Sequence, residues 1–475
     1  MMRAKTGILF ICLITLAFPA GCQKKEAVQA PAAKLSDSQV ENIVRRSYQY
    51  VALYNVNQKG ALDPANPTST GGFNKINVAT RLLDHTAQFI ARPNNDTLYI
   101  TGSLDLRKEP VILDIPKIDS QYISLMAFAY DHYVNVPLST RKGDLGKPER
   151  ILFYSARTKG YKGEPVDGVD HVFEMSGDFG GGVLRVMPHA SEPERFQRIV
   201  KQMQSTKLTT LAEYRGGKAE PVDDIQFPAF GKTDADIFGT NLLEVMQFVF
   251  NHTTFDPKDE IDQGVLAAYK PLGVEPGKAY DASRVAKIDG ERFRRMAQEV
   301  QQKSFALALD PKNIAAFAPR MFRPKGETDL DTLVAVSVIG PIGLPMDEAM
   351  YPPVATVDGN PMNAMNDYVI RMGKDELPPA RAFWSLTLYD SQNGFFIPND
   401  RKKYSVGQNS GMKLNKDGGI EIYVAAERPK GVSEEDWLPI NRKDEDMDVV
   451  LRIYVPDLEK MKSWTPPKAE KLTKK

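Results

Sequence analysis

Between residues 95 and 190, apolar and polar positions alternate in short runs that proline, glycine and aspartate interrupt. The runs are TLYITGSLDL, PVILDIP, YISLMAFAY, RILFYSA, HVFEMSG and GGVLRVMP. Alternation with period two is typical of strands that bury one face, and no helix-length insert separates these runs. The pattern predicts an antiparallel β domain arranged as a sandwich or jelly roll.

Helical periodicity surrounds this β region. Apolar residues recur at helical spacing between residues 40 and 51, after a capping box at Ser36 and Gln39 or at Ser38 and Glu41. This predicts a helix near 37–55. The stretches EPERFQRIVKQMQ, DADIFGTNLLEVMQFVFNH and DGERFRRMAQEVQQKSFALAL predict further helices in the middle of the chain.

Strand patterns return near residue 330, in TLVAVSVIG, DYVIRM, AFWSLTLYD, GIEIYVAAE and DVVLRIYVP. The predicted fold is therefore mainly β, α+β overall, with two antiparallel β-sandwich or jelly-roll-like domains joined by a helical connector. The predicted boundaries are 1–22 for a signal peptide, 23–36 for a flexible tether, 37–205 for the first domain with its helix, 206–328 for the connector and 329–475 for the second β domain.

The glycine run FGGGV at 179–183 lacks the lysine that a phosphate-binding loop requires. We interpret it as a β-bulge or a tight turn.

The beginning of the sequence indicates export. A charged start with Arg3 and Lys5 precedes an apolar run too short to span a bilayer. The end of this run, FPAGC, resembles the lipobox of bacterial lipoproteins and predicts lipidation of Cys22, although Pro19 departs from the pattern. An ordinary signal peptide with a chance cysteine is the alternative. Gln23 after the cysteine resembles the signal for an outer-membrane lipoprotein at the periplasmic face of the cell envelope.

Charge and motifs exclude several classes of function. The 61 basic and 61 acidic residues balance, without a basic stripe, so nucleic acid is not an expected partner. The membrane is expected to be a partner only through Cys22. The five histidines are dispersed and no spacing predicts a metal site or a cofactor. Two S-x-x-K strings, at Ser139 and Ser410, lie in loop-like sequence and carry no catalytic prediction. The oligomeric state is not indicated.

The stretch RPNNDTLY carries more polar side chains than a strand entrance needs. One or two of Asn94, Asn95 and Asp96 are explained by an Asx turn. The surplus, together with Arg92 and Tyr99, predicts a ligand-binding cluster at one end of the β domain, where loops build sites on a rigid scaffold.

A second polar cluster, YDHYVNV, contributes Tyr130, Asp131, His132 and Asn135 as candidate site residues. If this loop meets the first cluster, Asp131 could orient His132 as a general base. Adjacent residues on a strand point to opposite faces, so this pairing requires that the strand has already ended.

In the second β domain, Tyr389, Asn399 and Tyr404 are flanked by polar residues and are candidates for contacting a sugar ring or an aromatic ligand. Trp384 lies inside an apolar strand and is expected to belong to the core.

Longer motifs resemble a known pair of families. RPNNDTLYITGSLDLRKEPVILDIP and YISLMAFAYDHYVNVPLSTR resemble the bacterial domain of unknown function 1254. DGNPMNAMNDYVIRM, PPARAFWSLTLYD and RKKYSVGQNSGMKLNKDGGIEIYVAAERP resemble its usual companion, domain of unknown function 1214. The resemblance covers most of the chain after Cys22, and His132 departs from the usual pattern. It implies two β-rich domains joined by helices and implies no particular chemistry.

Two functions of different class follow from these observations. The first is a lipid-anchored envelope protein that binds an organic or saccharide ligand in a polar and aromatic groove. The second is an envelope hydrolase that uses a histidine and an aspartate as general base. The absence of a compact catalytic motif favours the first, whereas a paired carboxylate and histidine in a closed pocket would favour the second.

Overall fold

The computed structural model describes residues 34–88, 92–221, 224–309, 313 and 316–473. Cys22 and the predicted signal and most of the tether lie outside the described residues.

Nine strands, numbered in chain order over the described residues, build the first β domain. They are β1 (Lys75–Val78), β2 (Leu98–Asp105), β3 (Val111–Ile115), β4 (Ile123–Ala129), β5 (Val134–Ser139), β6 (Glu149–Ser155), β7 (His171–Met175), β8 (Phe179–Val186) and β9 (Lys207–Thr210). One sheet has the order β1-β2-β8-β4-β5 and the other β7-β6-β3-β9. Neighbouring strands are antiparallel, except for the parallel pair β6 and β7 at one edge.

The two sheets pack face to face. Ile100 and Leu125 from the first sheet meet Leu113, Ile151 and Phe153 from the second in one buried cluster. Helix α2 (Pro193–Met203) closes this cluster, and the short helix α3 (Leu211–Tyr214) follows β9. The predicted antiparallel β domain is confirmed, and it is a sandwich.

The glycine run forms part of β8, the central strand of its sheet, so the interpretation as a bulge or tight turn was wrong. A Cβ atom on Gly180 would lie 2.6 Å from the Phe128 carbonyl oxygen, and one on Gly181 would lie 2.7 Å from Asn57 Oδ1. The neighbouring strand and the first helix thus approach too closely for a side chain, and close backbone approach is the other reason for glycine inside a strand.

Replacing Gly180 with alanine should lower the free energy of unfolding by about 2–3 kcal/mol, because the new methyl group forces the backbone of the neighbouring strand to move. Urea denaturation measures this change. Gly182→Ala is the matched control, since its Cβ would meet the nearest atom, Ala127 Cβ, at an ordinary 3.8 Å. Equal stability of the two variants would contradict the packing explanation.

Helices from distant parts of the chain share one core. They are α1 (Asp37–Leu62), α4 (Asp234–Thr240), α5 (Leu242–His252), α6 (Glu260–Tyr269), α7 (Gly290–Leu309) and α8 (Leu330–Ile339). Ser36 and Gln39 form the capping box of α1, which was one of the two predicted alternatives. Val44, Phe238, Val249 and Val334 pack together in the core of this bundle. The segment predicted as a connector therefore packs around the first helix.

The TLVAVSVIG stretch, predicted as a strand, is helix α8. Asp329 caps the helix by accepting a hydrogen bond from the Thr332 backbone N–H. Residues 332–337 are all buried. A segment that is apolar on every side has no periodicity, so the sequence cannot separate a buried helix from a buried strand.

A second sandwich occupies the C-terminal part. Its strands are β10 (Ala349–Met350), β11 (Met362–Asn363), β12 (Tyr368–Met372), β13 (Ala380–Asp390), β14 (Ser405–Gly407), β15 (Ile420–Ala425), β16 (Trp437–Pro439), β17 (Asp446–Pro456) and β18 (Ala469–Lys471), with the short helix α9 (Leu458–Met461) between the last two. One sheet has the order β10-β17-β13-β14, with β11 also paired to β17, and the other has the order β16-β15-β12-β18. Ile370, Ile422, Leu451 and Trp384 lie in the core between them, as predicted for Trp384.

Among the described residues, no helix is both long and apolar enough to cross a membrane.

Candidate functional site

The segment before β2 docks on the C-terminal sheet, on the face turned away from the core of that domain. Arg92 forms an ion pair with Asp448 at 2.7 Å, and the Asn94 side-chain amide donates a hydrogen bond to the Tyr454 hydroxyl at 2.7 Å. Asn94 Oδ1 also accepts a hydrogen bond from the Asp96 backbone N–H at 2.6 Å. This last contact is the expected Asx turn, whereas the others join the two β domains.

Asn95 and Asp96 extend the contact between domains. The Ser405 hydroxyl donates to Asn95 Oδ1 at 3.1 Å, and the Ser385 hydroxyl donates to Asp96 Oδ2 at 2.6 Å. The Asn409 side chain donates to the Asp96 backbone carbonyl at 3.0 Å. Asp96 is fully buried, and its Oδ1 atom has no hydrogen-bond partner among the described residues.

Burial of the Asp96 carboxyl group makes its charged form less favourable. Burial raises its pKa, and the charge of Arg452 and the hydrogen bond from Ser385 oppose part of this rise. The group therefore holds a proton to a higher pH than a surface aspartate does.

Arg452 lies on β17, directly opposite Ser385 on β13. Its Nη2 donates to the Arg92 carbonyl oxygen at 3.1 Å, and its guanidinium lies 5.6 Å from the centre of the Tyr389 ring. The residue is only 4% exposed, and Nη1 has no partner among the described residues. No described carboxylate lies within 4 Å of its charged group.

Arg185 is the corresponding arginine of the first β domain. It lies on β8 between Tyr99 of β2 and Ser124 of β4, so the three side chains form a row on the outer face of the sheet. Nη2 donates to the Gly343 carbonyl oxygen at 3.3 Å, and the guanidinium lies 5.9 Å from the centre of the Tyr99 ring. Arg185 is 5% exposed, and within the described part of the chain its Nη1 is unpartnered and no ion pair forms.

Tyr351 connects this region to solvent. The residue is 45% exposed. Burial raises the pKa of its hydroxyl, and the charges of Arg185 and Arg452 act in the opposite direction. The residue is thus partly exposed while the charges of both guanidinium groups act on its hydroxyl.

We call these residues the interdomain polar cluster. They come from both sandwiches and from the strand entrances beside them, and they converge where the two sandwiches meet. The members are Asp96, Tyr99, Arg185, Tyr351, Arg452 and Tyr454.

The two predicted polar loops do not share this site. β2 and β4 both run antiparallel to β8, and Leu98 and Ile123 both lie opposite Val186. The loop before β2 and the loop after β4 are therefore at opposite ends of the sheet, separated by roughly 20 Å along β8 at the usual rise per residue. The expectation that they could meet is corrected by this register.

Asp131 and His132 are not paired. Asp131 Oδ1 accepts a hydrogen bond from the Ser176 hydroxyl at 2.8 Å, and its other oxygen lies 3.7 Å from Lys325 Nζ. His132 has a φ of 69°, and its ring stacks on Phe322 with both nitrogens unpartnered among the described residues. Burial lowers the pKa of His132 to about 4. β4 has ended before these residues, but the left-handed backbone turns the imidazole away from Asp131.

Asp131 instead belongs to a buried junction between the first sandwich and the helices. Lys325 lies between its carboxylate and that of Asp262, with Lys325 Nζ 2.5 Å from Asp262 Oδ2. Burial raises the pKa of Asp131 to about 6, although the charge of Lys325 and the hydrogen bond from Ser176 lower it. The ionised form is therefore unfavourable in the folded protein.

This shift predicts a pH-dependent effect of Asp131→Asn. Between the unfolded pKa of about 4 and the folded pKa of about 6, the folded state holds the extra proton, so the wild type loses stability as the pH rises through this interval and keeps that full loss above it. The variant should be more stable by roughly 1–3 kcal/mol at pH 7.5, and the difference should vanish near pH 4. Denaturation at both pH values measures it. A wild type more stable than the variant at pH 7.5 would show that the ion pair with Lys325 dominates instead.

The other candidate residues have structural partners. The Tyr130 hydroxyl accepts a hydrogen bond from Gln58, and Asn135 Oδ1 accepts one from Ser176. Asn399 closes its own loop by donating to the Lys403 carbonyl oxygen.

The remaining candidates lie at the junction of the two domains. The Tyr389 hydroxyl donates to the Pro93 carbonyl oxygen at 2.6 Å, and the Tyr404 hydroxyl lies 2.7 Å from His85 Nδ1. The fold thus brings together residues from two separately predicted clusters. They are Arg92, Asn94, Asn95, Asp96, Tyr99, Tyr389 and Tyr404.

Arg185, Arg452 and Tyr351 were not predicted from the sequence. A signal was present for the arginines, since each is the single charge within an apolar run of eight residues, in GGVLRVMP and VVLRIYVP. Charged residues are almost never fully buried unless they are paired. Within the described ranges, no group of three histidine, cysteine or acidic side chains is placed to hold a metal ion.

Comparison with known proteins identifies the two sandwiches. Residues 73–210 match the family described as protein of unknown function DUF1254, and residues 348–458 match the family described as protein of unknown function DUF1214. No curated protein matches the chain. The crystal structure of the VPA0106 protein from Vibrio parahaemolyticus is similar, with 23% identity, a TM-score of 0.70, and coverage of 92% of this chain and 100% of that one.

A structure of an uncharacterized protein from Burkholderia cenocepacia aligns with 13% identity and a TM-score of 0.41, over 92% of this chain and 94% of that one. The likeness to the Vibrio protein concerns the fold alone. The chain therefore combines a DUF1254 domain with a DUF1214 domain, joined by helices, in one polypeptide.

Proposed function

We propose that this chain is a cell-envelope protein that binds a small organic anion at the interdomain polar cluster. The observation that carries the proposal is the pair of buried arginines, Arg185 and Arg452, one from each sandwich. Each has a free Nη1, and neither has an ion-pair partner in the described part of the chain.

Burying a charged group without a close ion-pair partner is unfavourable by several kcal/mol on the order-of-magnitude scale. The charge of Asp96 acts on Arg452 from beyond ion-pair distance and offsets part of this cost. A bound carboxylate, sulfonate or phosphate would supply the missing charge and the acceptors that the free Nη1 atoms require. Tyr351, on which the charges of both arginines act, is partly exposed to solvent.

Binding is favoured over hydrolysis because no described histidine lies in the cluster. The chain does contain a paired histidine and carboxylate, His252 Nδ1 and Asp178 Oδ2, 2.9 Å apart. That carboxylate also accepts hydrogen bonds from Arg157 and Ser155. The pair lies where helix α5 meets the first sandwich. Its hydrogen bonds connect these two parts of the protein, which is a structural role.

Calorimetry and thermal unfolding with a panel of organic anions, each paired with its neutral amide or ester, test the proposal. A bound anion should raise the unfolding temperature as its concentration exceeds the dissociation constant, whereas the neutral partner should not. Absence of binding by every carboxylate, sulfonate and phosphate up to millimolar concentration would refute the proposal.

The envelope location rests on the sequence around Cys22. Cys22→Ser should abolish incorporation of a labelled fatty acid and release the protein from membranes into the soluble fraction, because the lipid on this cysteine would hold it there. The purified variant should unfold at the same temperature as the wild type, since α1 begins only at Asp37. A wild type that takes up no label would contradict the lipoprotein hypothesis.

A further inference from the structure

A groove on the second sandwich is separate from the interdomain polar cluster. Its volume is about 430 Å³, which lies within the range of roughly 300–1,000 Å³ that small-molecule sites have in proteins. It is lined by residues of β12, of the 3₁₀ turn Lys374–Glu376 and of the segment 463–468 that follows α9. The groove therefore has room for a ligand, and it shares no lining residue with the cluster.

Trp464 gives the groove an aromatic surface. The residue is partly buried, because it packs against the core of the second sandwich and also lines the groove. Its indole N–H donates to the Glu376 carbonyl oxygen at 2.9 Å. Pro466 and Pro467 line the groove beside it, and proline rings fix the φ angles of the backbone there. The aromatic ring is thus held in place before a ligand binds, which lowers the entropy cost of binding.

Two charged side chains in the groove have no partner in the fold. Asp375 and Lys468 both line the groove and are exposed, and neither forms a hydrogen bond or an ion pair within the described residues. Arg371 also lines the groove, but its guanidinium already pairs with Glu421 and Glu470. A carboxylate acceptor and an ammonium donor therefore remain available to a ligand.

We propose that this groove binds a pyranose ring of a neutral saccharide, with one face of the ring on Trp464 and its hydroxyls on Asp375 and Lys468. The face of a pyranose ring presents C–H groups, which pack on an aromatic side chain. Its edge carries hydroxyls, which donate to a carboxylate and accept from an ammonium group. This is a second site, and it does not depend on the proposed anion site.

The residues that line the groove favour a neutral ligand. Asp375 and Glu376 repel an anion, and Lys468 repels a cation. An organic cation is best held by several aromatic faces, and Trp464 is the single aromatic residue among the described residues that line the groove. A saccharide has many hydroxyls and no charge, so it fits both the aromatic ring and the polar groups.

Titration of the folded protein with neutral trisaccharides tests the proposal, and the probes are maltotriose, cellotriose and the trimer of N-acetylglucosamine. At least one of them should bind with a dissociation constant in the millimolar range or below, as measured by calorimetry. Binding should also move the tryptophan emission to shorter wavelength, because the sugar shields Trp464 from water whereas Trp384 and Trp437 are already buried.

Two variants locate the sugar in the groove. Trp464→Leu keeps an apolar side chain against the core but loses the aromatic face, and it should weaken binding of the trisaccharide about 10-fold. Asp375→Asn replaces a charged acceptor with a neutral one and should weaken binding about 5-fold. This second variant keeps the test valid if Trp464→Leu does not fold, since Asp375 has no partner within the described residues.

Asp400→Asn is the matched control. Asp400 is also exposed and without a partner among the described residues, but it does not line the groove. Its replacement should leave the affinity for the trisaccharide unchanged.

Three results would overturn the proposal. The first is that no trisaccharide binds in the millimolar range. The second is that Trp464→Leu and Asp375→Asn both bind the trisaccharide as tightly as the wild type does, which would place the sugar elsewhere. The third is that choline or a proline-rich peptide binds in the groove and no saccharide does. None of these results bears on the interdomain polar cluster, which the titrations with organic anions test separately.

Discussion

Replacing Arg185 with glutamine should weaken the binding of an organic anion by roughly 10- to 100-fold, which corresponds to one lost charge-assisted hydrogen bond. The protein should remain folded, because Arg185 donates only one long hydrogen bond, to the Gly343 carbonyl oxygen, and has no described ion pair. Removal of an unpaired buried charge can even be stabilising. Titration calorimetry and thermal unfolding of the free variant measure the two effects separately.

Arg371→Gln is the matched control. This arginine is also on a strand, but it is exposed and already paired with Glu421 and Glu470. It should leave anion affinity unchanged. If Arg185→Gln binds the anion as tightly as the wild type does, the guanidinium of Arg185 is not a ligand contact.

Asp178→Ala should lower the free energy of unfolding by about 3–5 kcal/mol, the usual loss when one partner of a buried ionic network is removed. Asp178 accepts from Arg157, His252 and Ser155 at 2.8–3.0 Å and is almost completely buried. Burial alone would raise the pKa of Asp178, but the hydrogen bonds from His252 and Arg157 hold it below its usual range.

Because this pKa is lowered in the folded state, the stabilisation is present above the unfolded pKa of about 4 and is lost as the pH falls through the folded value. Urea denaturation at pH 7 measures the loss. Glu470→Ala removes an exposed ion pair and should cost less than about 1 kcal/mol. If Asp178→Ala lowers the free energy of unfolding by no more than Glu470→Ala does, the network does not stabilise the contact between the helices and the first sandwich.

The two sandwiches could be predicted from the sequence because strands with one buried face alternate, as in Leu98, Ile100 and Leu104 of β2. The surplus of polar residues at Asn94–Asp96 could also be recognised, and hydrogen bonds to the second sandwich account for much of it. Their partners could not be predicted, since Ser385 and Ser405 are 289 and 310 residues away and periodicity says nothing about which domains meet.

The pairing of the two polar loops failed for a topological reason. Alternation identifies β2 and β4 as strands, but it does not reveal that β8, much later in the chain, lies between them and fixes both in the same direction. The burial of the two arginines could not be predicted for another reason. In the sequence each has the pattern of an outward-facing strand residue, and it becomes buried only because the two sandwiches pack against each other.

The packing of α1 against α8 has a consequence for how the chain reaches its folded state. Arg45 and Asp331 form an ion pair although they are 286 residues apart along the chain, and Leu53 packs in one cluster with Val336. Helix α1 therefore keeps part of its apolar surface uncovered during synthesis until α8, much later in the chain, has been made. Contacts of such long range slow folding and prolong exposure of apolar surface. Until α8 is available to cover it, this surface makes the incomplete chain prone to aggregation.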